Sequence, residues 1–214
     1  MTAHGTEPWP ALLDRIASCR HCHAGKLLHP GASPLFCKFR GQRSDLLFVL
    51  EAPNHDDTFR PDKGYLTYDR DTDPSGRFFR ELYIEVLGEP IEHAAVTNAV
   101  LCLPAGGGGR YPVTARTMRN CSMHLRDQIA SLDPLVVVTL GAKALEAARL
   151  LQDHGRRKLA DVVATPVSWL GRTLFPVYHT GMLARNGPFG RTADKQRDDW
   201  RQLREVLQTL RSRT

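Results

Sequence analysis

The chain has 214 residues, 42% of them hydrophobic and 24% charged. That balance excludes a disordered polyelectrolyte and leaves enough length to bury a proper core. Lys and Arg outnumber Asp and Glu by 29 to 23, for a net charge of +6, which suits a polyanion such as nucleic acid but equally describes an ordinary basic surface. No apolar run approaches the roughly 20 residues that span a bilayer, so no membrane association is expected.

The elements follow in chain order. A helix is expected over 10–19, running into the stretch SCRHCHAG (18–25). The opening MTAHGTEPWP has neither a basic nor an apolar signal region, so a cytoplasmic protein is expected. DLLFVLEAP (45–53) reads as a strand and 75–88 as a helix. HAAVTNAVLC (93–102) is the next strand, 115–132 a helix, and PLVVVTLG (134–141) a strand running straight into a helix at 142–153. TLFPVYH (173–179) is the last strand. The final helix, 192–212, has Trp200, Leu203, Val206, Leu207 and Leu210 on its packing face, and its basic residues read as a solvated face. Three of the strands are almost continuously apolar, as strands covered on both faces should be. Strands alternating with helices predict an α/β fold: a three-layer αβα sandwich with a central, mainly parallel four-stranded sheet, forming one domain over 1–214. In such sheets ligands bind beyond the carboxyl ends of the strands. That rule picks out four places: after Val49, around Asn98, at Gly141, and from His179 onward.

The cysteines ask for a partner. Cys19 and Cys22 form C-x2-C; Cys102 and Cys121 follow, spaced C-x18-C, and Cys37 is left over. An odd number in a reducing compartment argues against a disulfide framework. Four thiolates suit a [4Fe–4S] cluster or an all-cysteine zinc site, and the split second pair favours the cluster. Buried hydrophobic cysteines are the alternative from spacing alone.

Four segments occur in an informative order: Leu50-Glu51-Ala52-Pro53-Asn54 after a strand, VTNAVLC (96–102), VVVTLGAKALEA (136–147) and HTGMLARNG (179–187). Together with the cysteines, this order resembles the iron–sulfur branch of the uracil-DNA glycosylase superfamily, family four and its neighbour family five, over about residues 15–205. The resemblance implies that fold, and it implies that Cys19, Cys22, Cys102 and Cys121 ligate a [4Fe–4S] cluster. Glu51, Ala52 and Pro53 would floor a base pocket, with Glu51 positioning water. Asn98 would read the edge of a flipped base, and His179 would face the oxygen that gains charge as the glycosidic bond breaks. Leu66 falls at the position that stacks on the base, with Tyr65 or Tyr68 able to substitute. Met182 and Leu183 would wedge into the space a flipped base vacates, while Arg185, and Arg110 in AGGGGRYP (105–112), would hold phosphates.

The implied activity is that of a monofunctional DNA glycosylase: DNA is the partner, the protein acts as a monomer with no obligate protein partner, and uracil is the expected base. No lysine lies in the segments of Glu51, Asn98 and His179, so hydrolysis without strand cleavage is expected. The alternatives are a glycosylase for another deaminated or bulky base, a module that binds damaged or abasic DNA without releasing a base, and an iron–sulfur redox protein. The sequence departs from the family pattern at Leu50 and Asn54, where the family has glycines, at Thr180, where it has proline, and at Leu103, where arginine is common. These departures bear on which base is accepted more than on the reaction.

Overall fold

A computed structural model of the protein describes residues 9–35, 44–55, 58, 73–155, 158–188 and 190–213. Its centre is a five-stranded sheet of β1 (Leu46–Leu50), β2 (Ala95–Asn98), β3 (Val136–Leu140), β4 (Val167–Trp169) and β5 (Arg172–Val177), in the order β2-β1-β3-β5-β4. The first four in that order run parallel, and β4 pairs antiparallel with β5 at the edge.

All five residues of β1 are buried, as are all five of β3. Alternation along the strand explains why. Leu47 and Val49 join one core with Val137 and Leu174, while Leu46, Phe48 and Leu50 join the other with Val136, Val138, Phe175 and Val177. The first core is closed by α1 (Trp9–Ala17), α3 (Ala115–Leu132) and α4 (Ala142–Leu151), through Leu12, Ile16, Met118, Leu125, Ile129 and Leu145 among others. The second is closed by α2 (Pro74–Glu81), its π-helical continuation Leu82–Leu87, and α7 (Ala193–Arg211). There Phe48 stacks on Trp200 at 5.3 Å and meets Phe79 edge-on at 5.1 Å. Two helical layers around one sheet are the expected sandwich.

The sheet has one strand more than the sequence predicts. β4 is three residues long, only Trp169 in it is buried, and it turns into β5 through Leu170-Gly171, both at positive φ. A two-residue turn of that kind usually announces itself with Asn-Gly or Asp-Gly; leucine at φ 49° gives no such signal. Two short helices, α5 (Leu159–Val162) and α6 (Met182–Asn186), were also absent from the sequence reading. The last helix matches it. Three of its basic residues are neutralised, Arg197 by Glu81 and Asp194, Arg201 by Asp198, and Arg211 by Asp45 and Glu89, and Arg191 just before it pairs with fully buried Asp199. Among the described residues no helix is long and apolar enough to cross a membrane.

The N-terminal segment has little regular structure of its own and is pinned to the chain after β2. His29 N–H donates to Leu103 O, Ala105 N–H to Leu27 O and Leu35 N–H to Leu101 O. An ion pair of 2.7 Å between Arg15 and Asp127 ties α1 to α3.

Candidate active site

The parallel strands end together, and their last residues leave the sheet side by side. Leu50 of β1 is in register with Asn98 of β2. Just beyond, Ala99 N–H donates to Leu50 O and Val100 N–H to Glu51 O. Glu51-Ala52-Pro53 and Asn98 are thereby fixed against each other by backbone. Glu51 is open to solvent on one side, Ala52 is half-buried and Pro53 is buried. Burial on its other side pushes the Glu51 carboxyl above the ordinary carboxylate range. The positive charge of Lys143 and a hydrogen bond from the Val113 backbone pull in the opposite direction.

Asn98 is fully buried, and neither its amide nitrogen nor its amide oxygen has a hydrogen-bond partner among the described residues. Each buried polar atom left unpaired costs about 1–3 kcal/mol. Its neighbour in β2 shows the usual solution: Thr97 donates to Gln128 Oε1 at 2.8 Å, and Gln128 in turn donates to His124 O. An orphaned amide, offering one donor and one acceptor at a strand end, is suited to a ligand that presents the reverse pair.

His179 follows β5. Gly181 N–H donates to its Nδ1 at 2.9 Å, so Nδ1 carries the lone pair and the neutral ring holds its proton on Nε2. Burial lowers the imidazole pKa, with Asp73 opposing, so the neutral form prevails at pH 7. The loop is braced from both sides. Thr180 Oγ1 donates to Ser75 O at the start of α2, and Gln196 Nε2 of α7 donates to His179 O. Space is tight: a Cβ at Gly181 would lie 2.9 Å from His179 Nδ1 and 3.3 Å from Ser75 Oγ. Gly141, which caps α4 at φ 93°, would bring a Cβ to 3.6 Å from the His179 Cβ. Thr180, where the family pattern has proline, makes the hydrogen bond to Ser75 that fastens this loop to α2.

Beyond His179, Met182 and Leu183 stand out from α6 with 54% and 90% of their surface exposed. Arg185 is half-buried. Its guanidinium lies 4.4 Å from the centre of the Phe78 ring, and its buried Nε has no hydrogen-bond partner among the described residues. Arg110 is exposed at the end of a tight hairpin in which Gly107 and Arg110 exchange both backbone hydrogen bonds at 3.0 Å. Gly108 and Gly109 take positive φ there, so the glycine run builds a two-residue turn of the primed type. Leu66, Tyr65 and Tyr68 lie outside the described residues, as does Cys37.

Lys143 is a residue that the sequence reading passed over. It is the second residue of α4, whose cap is Gly141, the third of the four strand-end positions, and its charge is felt at Glu51; Nζ is held by Glu146 at 3.0 Å.

The cysteines come together from three segments. Cys19, Cys22, Cys102 and Cys121 are all free thiols, and all but Cys19 are buried. Burial raises the Cys102 thiol strongly, and the other three cysteines raise it further; Cys121 is pushed up to about 12, with Cys22 and Cys19 contributing. Four thiols near enough to oppose one another's ionisation need a positively charged centre before they become thiolates. Asn120 Nδ2 donates to Cys22 Sγ at 3.3 Å, the kind of supporting hydrogen bond that orients a ligand. No three His, Cys, Asp or Glu side chains among the described residues gather closely enough to hold one metal ion. Four thiols from three segments are nonetheless the donor set of a thiolate-bound metal centre.

The sequence profile of the Uracil DNA glycosylase superfamily matches residues 40–204. The Type-4 uracil-DNA glycosylase of Saccharolobus solfataricus is 24% identical over 205 residues, covering 92% of this chain and 85% of that protein. Its namesake from Thermotoga maritima is 28% identical over 176 residues, 81% of each chain. The one from Sulfurisphaera tokodaii is 25% identical over 177 residues, 78% of this chain and 72% of that protein.

Proposed function

The chain belongs to the uracil DNA glycosylase superfamily, and from that premise we propose that it is a monofunctional uracil-DNA glycosylase, acting as one domain on a base flipped out of DNA. The observation that carries this reading is the fully buried amide of Asn98 with both polar atoms unpaired. Uracil presents an N–H donor beside a carbonyl acceptor, the complement of an amide. Pairing would satisfy both orphan atoms at once, and a base lacking that pattern would leave them unpaired.

Breaking the N-glycosidic bond sends the bonding electrons into the base and leaves positive charge on the sugar. The neutral His179 ring, with its proton on Nε2, donates a hydrogen bond to the base oxygen that gains charge. Its Nδ1 is fixed by Gly181 and its backbone by Gln196, so the donor needs no reorganisation as charge develops. Glu51 accepts a hydrogen bond from the attacking water and orients it toward the sugar carbon that the base leaves. Ala52 and Pro53 form the apolar floor that excludes bulk water. Met182 and Leu183, exposed on α6, fill the vacated stack. Lys143 is engaged by Glu146 and serves Glu51 through its charge, so the chemistry is hydrolysis with no imine to the sugar and no strand cleavage. Cys19, Cys22, Cys102 and Cys121 would hold a [4Fe–4S] cluster. Such a cluster would fasten the N-terminal segment to α3 and the chain after β2.

The test is single-turnover base release from oligonucleotides carrying uracil, hypoxanthine, xanthine or an unmodified base, read as alkali-labile sites. Uracil release is expected, slowed ~10²–10³-fold in His179→Ala with DNA affinity kept. Tight binding to abasic DNA with no release of any base would replace the enzyme with a binding module.

A further inference from the structure

The rings of His29, His55 and Tyr111 meet although they come from three distant segments. His29 stands edge-on to His55 at 5.7 Å and to Tyr111 at 5.8 Å, and His55 lies nearly parallel to Tyr111 at 6.0 Å. His55 is exposed, and the other two are half-buried. Each ring is anchored close to something already described. His55 follows the Glu51-Ala52-Pro53 turn. Tyr111 follows the glycine hairpin and precedes by two residues Val113, whose backbone holds Glu51. His29 donates its backbone N–H to Leu103, next to Cys102. The rings therefore lie between the pocket floor and the cysteine-bearing segments.

The segments that carry His29 and Tyr111 are basic. Residues 15–35 and 94–126 contain seven Lys and Arg and no Asp or Glu, whereas the segment of His55 carries Glu51, Asp56 and Asp57. These two stretches are stitched together by backbone hydrogen bonds between 27–35 and 101–105. Lys26, Arg110 and Arg116 are exposed and take part in no ion pair among the described residues. In α7, by contrast, Arg197, Arg201 and Arg211 are paired with acids. A cluster that merely riveted three loops would account for the ring contacts but not for the exposed, unpaired Lys26, Arg110 and Arg116 on the two segments that carry His29 and Tyr111.

We propose that His29, His55 and Tyr111 form a nucleobase-stacking subsite, which takes an unpaired base beside the flipped nucleotide while Lys26, Arg110 and Arg116 hold the flanking phosphates. This rests on the glycosylase reading and extends it to the substrate's form. A base in a duplex has both faces covered by its neighbours, whereas a single-stranded base has a face to offer an aromatic ring. The protein is therefore built to grip single-stranded DNA next to the target more firmly than paired DNA.

The experiment uses an oligonucleotide with a tetrahydrofuran abasic analogue, which has no base to lose, and 2-aminopurine on one flank or the other. Binding of the parent protein to the single strand should change 2-aminopurine emission at one of the two flanks. Tyr111→Ala should abolish that change and weaken single-strand binding ~10-fold. Tyr111→Phe should keep both, and affinity for the fully paired duplex should barely move. If Tyr111→Ala lowers Tm, His55→Ala at the exposed edge must show the same loss in a folded protein. Unchanged emission at both flanks with the parent, or parental single-strand affinity in a folded Tyr111→Ala or His55→Ala, overturns the subsite. A parallel uracil-release assay separates the two readings. Release without an emission change removes the subsite alone, whereas an emission change without release keeps the subsite and removes the enzyme.

Discussion

Gly181→Ala isolates the role assigned to His179 without touching the histidine. Gly181 has φ −67° and ψ 155°, a conformation that alanine adopts freely, so the backbone is not strained. The steric effect is local. The new methyl would stand 2.9 Å from His179 Nδ1 and 3.3 Å from Ser75 Oγ, where non-bonded contacts settle near about 3.5–4.0 Å. The Ser75 hydroxyl can rotate, but the imidazole, whose Nδ1 accepts from Gly181 N–H, must yield by about half an ångström or more. Displacements approaching 1 Å at a reacting centre cost about 10²-fold, so single-turnover uracil release should fall ~10–100-fold, or about 1.4–2.7 kcal/mol of barrier. DNA affinity should stay near parental, because the ring donates to charge that appears only in the transition state. The decisive comparison is the double variant. Since Gly181→Ala acts through the imidazole, adding it to His179→Ala should cost almost nothing more. A full additional ~10-fold loss in the double variant, or a parental rate in Gly181→Ala alone, would refute the placement of that ring.

Lys143→Met removes the charge that lowers the raised Glu51 pKa. Release that needs the carboxylate is lost as pH falls through that pKa, so the acid limb of the pH–rate profile should move to higher pH, and Lys143→Arg should restore it. Borohydride should trap no covalent protein–DNA adduct with the parent, since Lys143 is held by Glu146; a trapped adduct lost in Lys143→Met would make the enzyme bifunctional. Cys102→Ser should lose iron and sulfide on anaerobic purification while Cys37→Ser keeps both, as metal analysis would read. Arg110→Ala should reduce the slope of log K against log salt by about one contact's worth, ~0.9, and leave Tm unchanged. Arg185→Ala should lower Tm as well, because it strips a cation from the Phe78 ring.

The strands were legible because burial on both faces leaves no polar position to blur them, and LLFVL and VVVTL could be little else. Their ends were less clear. The expected strand 93–102 pairs only over Ala95–Asn98, since Ala99 and Val100 turn their N–H groups onto the end of β1 while their side chains stay buried. Apolar character alone does not separate a buried strand from a buried loop that follows it. The neighbours of Arg185 were illegible for a related reason: a sequence shows that an arginine follows an exposed apolar pair, but not that Phe78, more than a hundred residues earlier, will lie against its guanidinium.

The shared edge of the candidates Glu51, Asn98 and His179 was legible because parallel strands must release their chains at one common edge, so each candidate sits where an apolar run stops. That rule is local in sequence and needs no knowledge of packing. Lys143 obeyed it too, in the first turn of the helix at the third strand end, but a lysine on a helix has a solvated reading that its neighbour Glu146 supports. The His29–His55–Tyr111 cluster obeys no such rule. Its rings meet only after the N-terminal segment has been laid along Leu101–Ala105, a pairing made by backbone hydrogen bonds that leave no periodic trace. The same pairing carries Cys19 and Cys22 toward Cys102, so the cysteines and the ring cluster depend on one long-range contact. The cysteines announced it through their chemistry. Two histidines and a tyrosine, each ordinary in a surface loop, could not.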